Sequence, residues 1–150
     1  MKKFITLFLT GIFVMITAAS CSDDDKDIKI TYDQLPKAAQ TFLETYYNGI
    51  VPISIDRDGK HVDTEYDVKL SNGHEIEFSA NGDWLSVEAP DGAEIPDGIV
   101  PSAVAYYLEQ NYPDYGVSGI EVTIYGYEVE LTDGQEIMLT NEGGLYQPTV

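Results

Sequence analysis

Tyr66-Asp67-Val68-Lys69-Leu70-Ser71-Asn72-Gly73-His74-Glu75-Ile76-Glu77-Phe78 is matched by a second stretch, Tyr127-Glu128-Val129-Glu130-Leu131-Thr132-Asp133-Gly134-Gln135-Glu136-Ile137-Met138-Leu139. Tyr, Val, Leu, Gly, Glu and Ile coincide, and most other positions exchange like for like. Within each copy the apolar residues fall on alternate positions, as in a strand with one buried face. Asn72-Gly73 and Asp133-Gly134 supply the two-residue turn that closes a hairpin. Each copy therefore predicts an antiparallel strand pair with Tyr, Val and Leu inward and the acids between them outward.

The correspondence extends in both directions. Gly82 parallels Gly143, Leu35-Pro36-Lys37-Ala38-Ala39 parallels Val100-Pro101-Ser102-Ala103-Val104, and Leu43-Glu44 parallels Leu108-Glu109. The two registers differ by four residues, so the second copy is shorter between its helix and its hairpin. Leu35, Ala39, Phe42 and Tyr46 recur at helical spacing behind Pro36, and Gly49 stops the run. Val100, Val104, Tyr107 and Leu108 do the same behind Pro101, and Pro113 ends them. Flanking strands are expected over Val51–Asp56, Trp84–Glu88, Ile120–Ile124 and Leu145–Gln147. The expected class is α+β: two α-β-β-β-β repeats, over about 31–90 and 95–150, forming one antiparallel sheet of about eight strands. Both helices should pack on one face of it.

The "LP-x-A" opening of the helix and the "Y-x-V-x-L-x-x-G-x-E-I" hairpin resemble the PepSY-like family, related in fold to the β-lactamase inhibitor protein. The resemblance covers most of residues 30–150 and rests on core and turn positions. It implies an exported domain, often a lipoprotein, whose inhibitor relatives grip an enzyme with the open face of the sheet. No inhibitory contact motif of those relatives matches this sequence.

Residues 1–20 have the mechanics of a secretory signal: Lys2 and Lys3, an apolar run from Phe4 to Ala19, then small residues. That run is shorter than the roughly 20 residues that span a bilayer comfortably, which disfavours a retained transmembrane anchor. Ala18-Ala19-Ser20-Cys21 resembles a lipobox, although Ala18 stands where leucine is usual. Cys21 is the lone cysteine, so no intramolecular disulfide can form. Ser22, Asp23, Asp24 and Asp25 open an acidic tether over 21–30. They resemble the export signal of Gram-negative lipoproteins bound for the cell surface; the plainer reading is a solvated spacer. The expected location is the outer membrane, lipid-anchored through Cys21 on the cell surface or otherwise on the periplasmic face. The folded domain occupies 31–150.

The chain carries 8 basic and 26 acidic residues, a net charge of −18. Losing residues 1–20 removes two lysines and no acid, which takes it to −20. Nucleic acid is thereby disfavoured as a partner, and so is an anionic lipid surface; membrane attachment would come through the lipid. His61 and His74 are the two histidines and both fall at turns, where exposed, solvated side chains are the plain expectation. Asp56-Arg57-Asp58-Gly59 starts like a calcium loop, but Lys60 and His61 occupy positions that need an acid and a glycine. No glycine-rich phosphate loop or nucleophile elbow is present. The reading is a non-enzyme without metal or cofactor.

The outward residues of the sheet form the candidate partner site: Asp67, Lys69, Glu75, Glu77, Trp84, Glu121, Glu128, Glu130, Glu136 and Met138. Trp84 joins them if Leu85 and Val87 both face inward. Such a face suits a protein, basic peptide or cationic glycan partner; its plain alternative is a charged face kept for solubility. The functional alternative is an accessory subunit of an envelope complex with no ligand on the sheet. Replacing Cys21 by Ser should abolish lipidation, read by loss of fatty-acid labelling and by the retained precursor mass. Asp23, Asp24 and Asp25 changed together to Ala should keep the lipid but make the protein protease-protected in intact cells. Unchanged protease access would make the acids a spacer only.

Overall fold

A computed structural model describes residues 28–58 and 64–148. The signal segment, Cys21, Ser22, Asp23, Asp24, Asp25 and His61 lie outside the described residues. Among the described residues eight strands run in strict chain order across one antiparallel sheet: β1 (Ile28–Lys29), β2 (Pro52–Asp58), β3 (Glu65–Leu70), β4 (Glu75–Ser79), β5 (Trp84–Glu88), β6 (Val117–Thr123), β7 (Gly126–Leu131) and β8 (Glu136–Leu139). Helix α1 (Lys37–Tyr46) sits between β1 and β2, and α2 (Ser102–Asn111) between β5 and β6. Sheet and helices belong to an α+β fold, as expected.

The alternation read in the hairpins is the core. Val68, Leu70, Ile76, Phe78, Val87, Ile120, Val129, Leu131, Ile137 and Leu139 are buried in one cluster with Ala39 and Leu43 of α1 and Val104 and Leu108 of α2. Both helices therefore cover the same face. Phe42 meets Phe78 edge to face at 5.5 Å, which seats α1 over β4.

Several backbone hydrogen bonds of the first half recur at the matching positions of the second. Leu70 N donates to His74 O and Leu131 N to Gln135 O, both at 2.8 Å. Ser79 N donates to Asp83 O and Thr140 N to Gly144 O; Tyr47 N to Leu43 O and Tyr112 N to Leu108 O. Bulges recur too: Ile53 is the extra residue opposite β3, and Ser118 the extra residue opposite β7. The four-residue difference falls between β2 and β3, where residues 59–64 stand against Ile124-Tyr125 alone.

Three expectations need correction. Leu145–Gln147 does not form a strand; a single bridge joins Leu139 to Leu145, and Tyr146 N reaches Met138 O at 2.9 Å. Pro148 comes next and has no N–H to carry the ladder on. The eighth strand is instead Ile28–Lys29 at the opposite edge, too short to show a period in the sequence. His74 is buried, with Nε2 3.2 Å from Glu94 O, because the β5–α2 connection folds across its turn.

The turns leading out of β4 and β8 pass beneath the starts of the helices. Gly143 has φ +79°, and a Cβ there would lie 2.2 Å from Ala103 O; Gly134 has φ +85° with open space around it. Gly134→Ala should therefore cost about 1 kcal/mol for the left-handed backbone alone. Gly143→Ala should cost clearly more, because helix and turn must separate. Urea unfolding of the two variants checks the order.

Candidate functional site

Across the face away from the helices, strand pairing sets acid directly against acid. Asp56 pairs with Asp67, Asp67 with Glu77, Glu75 with Glu88, Glu121 with Glu128, and Glu130 with Glu136. Like charges in directly opposed positions destabilise a sheet. The cations on this face, among the described residues, are Lys29, bonded to Asp56 at 3.0 Å, and Lys69, bonded to Glu75 at 2.9 Å. Met138 lies opposite Glu128 and takes a 3.7 Å contact from Thr123 Oγ1 at its sulfur.

The expected site residues thus come together, with one exception. Trp84 pairs with Phe78, while Ser86 pairs with Glu77, so Leu85 is an extra residue in β5. That bulge reverses the phase, and Trp84 packs half-buried against the core, its ring stacked on Tyr127 at 6.2 Å. Strict alternation past Leu85 would have turned it outward.

Ser86, Glu88 and Glu65 were not among the expected residues, although Ser86 and Glu88 flank inward Val87 and were legible from it. Asp67, Lys69, Glu75, Glu77, Ser86 and Glu88 surround a shallow hollow of about 160 Å³ at the middle of the face. Glu77 is held there by Ser86 Oγ, which donates to its Oε2 at 3.3 Å. Burial, then a hydrogen bond with Glu65 and its charge, push the Glu77 carboxyl up to about 7. Burial, then Glu75, Glu130 and Glu121, push Glu88 up to about 7 against the opposing pull of Lys69. Glu121 is raised by burial, and Glu128 by burial and then by Glu121 and Glu136. The hollow can take up protons near neutrality, because burial and the neighbouring acids favour the neutral form of its Glu77 and Glu88 carboxyls.

Among the described residues no group of His, Cys, Asp and Glu is arranged to hold a metal ion. No described helix is long and apolar enough to cross a membrane.

Because the folded state raises the Glu77 and Glu88 values, it holds more protons than the unfolded chain between about pH 4.5 and 7. Their contribution to stability is present below that window and is lost as pH rises through it. Urea unfolding should show stability falling from pH 4.5 to 7, and Glu77→Gln with Glu88→Gln should flatten the fall. An unchanged slope in the double variant would place the protons elsewhere.

Residues 64–147 match the family described as "Putative beta-lactamase-inhibitor-like, PepSY-like". A solved "putative periplasmic protein from DUF2874 family" of Bacteroides vulgatus is similar at 32% identity, over 85% of this chain and 98% of the other, with a TM-score of 0.75. A "putative calcium-regulated periplasmic protein" of Bacteroides thetaiotaomicron is similar at 28% identity, over 81% and 94%, with a TM-score of 0.74. A second B. vulgatus structure, described as a periplasmic protein of unknown function, gives 28%, 81%, 98% and 0.75. No curated protein matches the chain. Neither family nor neighbours indicate a catalytic class.

Proposed function

The chain belongs to the PepSY-like, beta-lactamase-inhibitor-like family, and on that footing we propose that it is an envelope binding module that takes a cationic partner on its open sheet face. The partner is a basic protein, peptide or glycan, and a secreted enzyme held in an inhibitory grip falls within that class. Lipid at Cys21 would hold the module at the outer membrane, on the cell surface or the periplasmic face. The periplasmic descriptions of the neighbours agree with an envelope location.

One observation carries this reading. Acids oppose acids on every strand pair from β2–β3 to β7–β8 except across the central β5–β6 seam, and burial keeps Glu77 and Glu88 near 7. A face kept only for solubility does best with both signs interspersed. Concentrated like charge is costly to the free protein and is relieved by a cation that binds. With Trp84 turned to the core, aromatic anchors would have to come from the partner or from the stacked Tyr125 and Tyr146, 4.5 Å apart beside Met138.

A second reading rests on the apolar side chains outside this face. Ile53, at the β2 bulge, is 69% exposed, and Ile124, at the β6–β7 turn, is 89% exposed. An accessory subunit would dock through such points and leave the sheet face to solvent.

The two readings separate in one capture experiment with the full chain as bait on envelope and culture fluid. A sheet-face partner should be lost by Glu128→Lys with Glu130→Lys, should elute with moderate salt and should associate more slowly with that variant. Calcium, named in a neighbour's description, should compete with it. A partner kept by the charge-reversed bait but lost by Ile124→Asp would support the accessory reading and defeat the first.

A further inference from the structure

The two halves match closely around their helices but differ in what lies across them. Before α1, Gln34 N donates to Thr31 O at 3.0 Å; before α2, Ile99 N donates to Pro96 O at 3.5 Å. Counted back from Leu35-Pro36 and Val100-Pro101, these are the same turn, and Tyr32 falls opposite Asp97. Tyr32 lies along α1 against the core. Its hydroxyl donates to Gln40 O at 3.1 Å and to Glu44 Oε1 at 3.4 Å.

The counterparts of Gln40 and Glu44 on α2 are Ala105 and Glu109. A short acid thus replaces the ring, and alanine replaces a buried glutamine. What remains is a groove of about 720 Å³ between α2 and the β5–α2 connection, with Ile95, Ala105, Leu108 and Tyr112 among its walls. Glu94, Asp97 and Glu109 rim it, and among the described residues no Lys, Arg or His lines it. The outer wall is pinned by Tyr46 Oη donating to Gly98 O at 3.1 Å and by Ile95 N donating to Val117 O at 2.9 Å. The groove is therefore formed before anything enters it.

We infer that this groove receives a tyrosine side chain from an extended, basic segment of a partner protein, seated over α2 as Tyr32 is seated over α1. The first half of the molecule shows the fit: an aromatic body against the core edge and a hydroxyl reaching a helix carbonyl and a carboxylate. The rim supplies the charge preference, since three carboxylates favour lysine or arginine beside the tyrosine. The groove lies on the helix side of the sheet, so this inference is independent of the open acidic face.

The test uses the ¹⁵N-labelled full chain with acetyl-Lys-Tyr-Lys-amide as probe and acetyl-Lys-Ala-Lys-amide as control. The tyrosine peptide should bind about tenfold more tightly or better. It should shift the amides of Ala105, Glu109 and Val117 and leave those of Gln40 and Glu44 in place. Asp97→Tyr, which puts a ring into the groove from within the chain, should raise Tm and weaken the peptide about tenfold or more. Ala105→Gln, which restores the first half's filling, should weaken it similarly. Equal binding of the two peptides overturns the inference. So do shifts confined to the sheet face around Glu77, Glu88 and Glu128, and so does wild-type affinity in either folded variant.

Discussion

Everything in this molecule hangs on the seam between β5 and β6. Three residue pairs, Ser86 with Glu121, Val87 with Ile120 and Glu88 with Gly119, join the two hairpin sets into one sheet. Either half alone, with about 60 residues, would bury a smaller share of its surface and be only marginally stable. Pairing across the seam places fully buried Val87 and Ile120 side by side at the centre of one core shared by α1 and α2. It also fixes phase. Once those two side chains point to the helices, every strand must turn its alternate residues the other way.

The charged face is the direct consequence. Nothing in the backbone requires acids opposite acids, yet this sequence puts them there on both sides of the seam, and Glu88, Glu121 and Glu130 meet around it. Like charges set directly opposite one another destabilise a sheet. A meander with helices on one side has only the opposite face free for such a concentration of charge. The face we propose as the binding surface is therefore the one on which this chain concentrates its charge, and the helix-side groove is left as a separate, mostly apolar feature.

Much of this was legible in the residues. Period-two alternation, Asn-Gly and Asp-Gly turns and the internal correspondence define both hairpins, both helices and nine of the ten expected outward residues. The misreadings have local physical causes. Trp84 faces the core because Leu85 bulges, and a one-residue bulge leaves no mark in an apolar run. His74 is buried because a connection twenty residues away in sequence folds over its turn, which is a tertiary fact. The Ile28–Lys29 strand is set by the edge of β2 rather than by its own composition, and Pro148 restricts the pairing at Leu145 to a bridge. Glu88 is different: alternation about Val87 exposes it, and only the cross-strand register reveals that Glu75 stands opposite.

Burial, with the neighbouring acids adding to it, holds the Glu77 and Glu88 carboxyls near 7, so that both are partly protonated at neutral pH. Side-chain carboxyl ¹³C shifts followed from pH 3 to 9 test this most directly. Glu77 and Glu88 should titrate near 7. Titration of both in the ordinary range near 4.3 would show a relaxed, solvated face and would contradict the account.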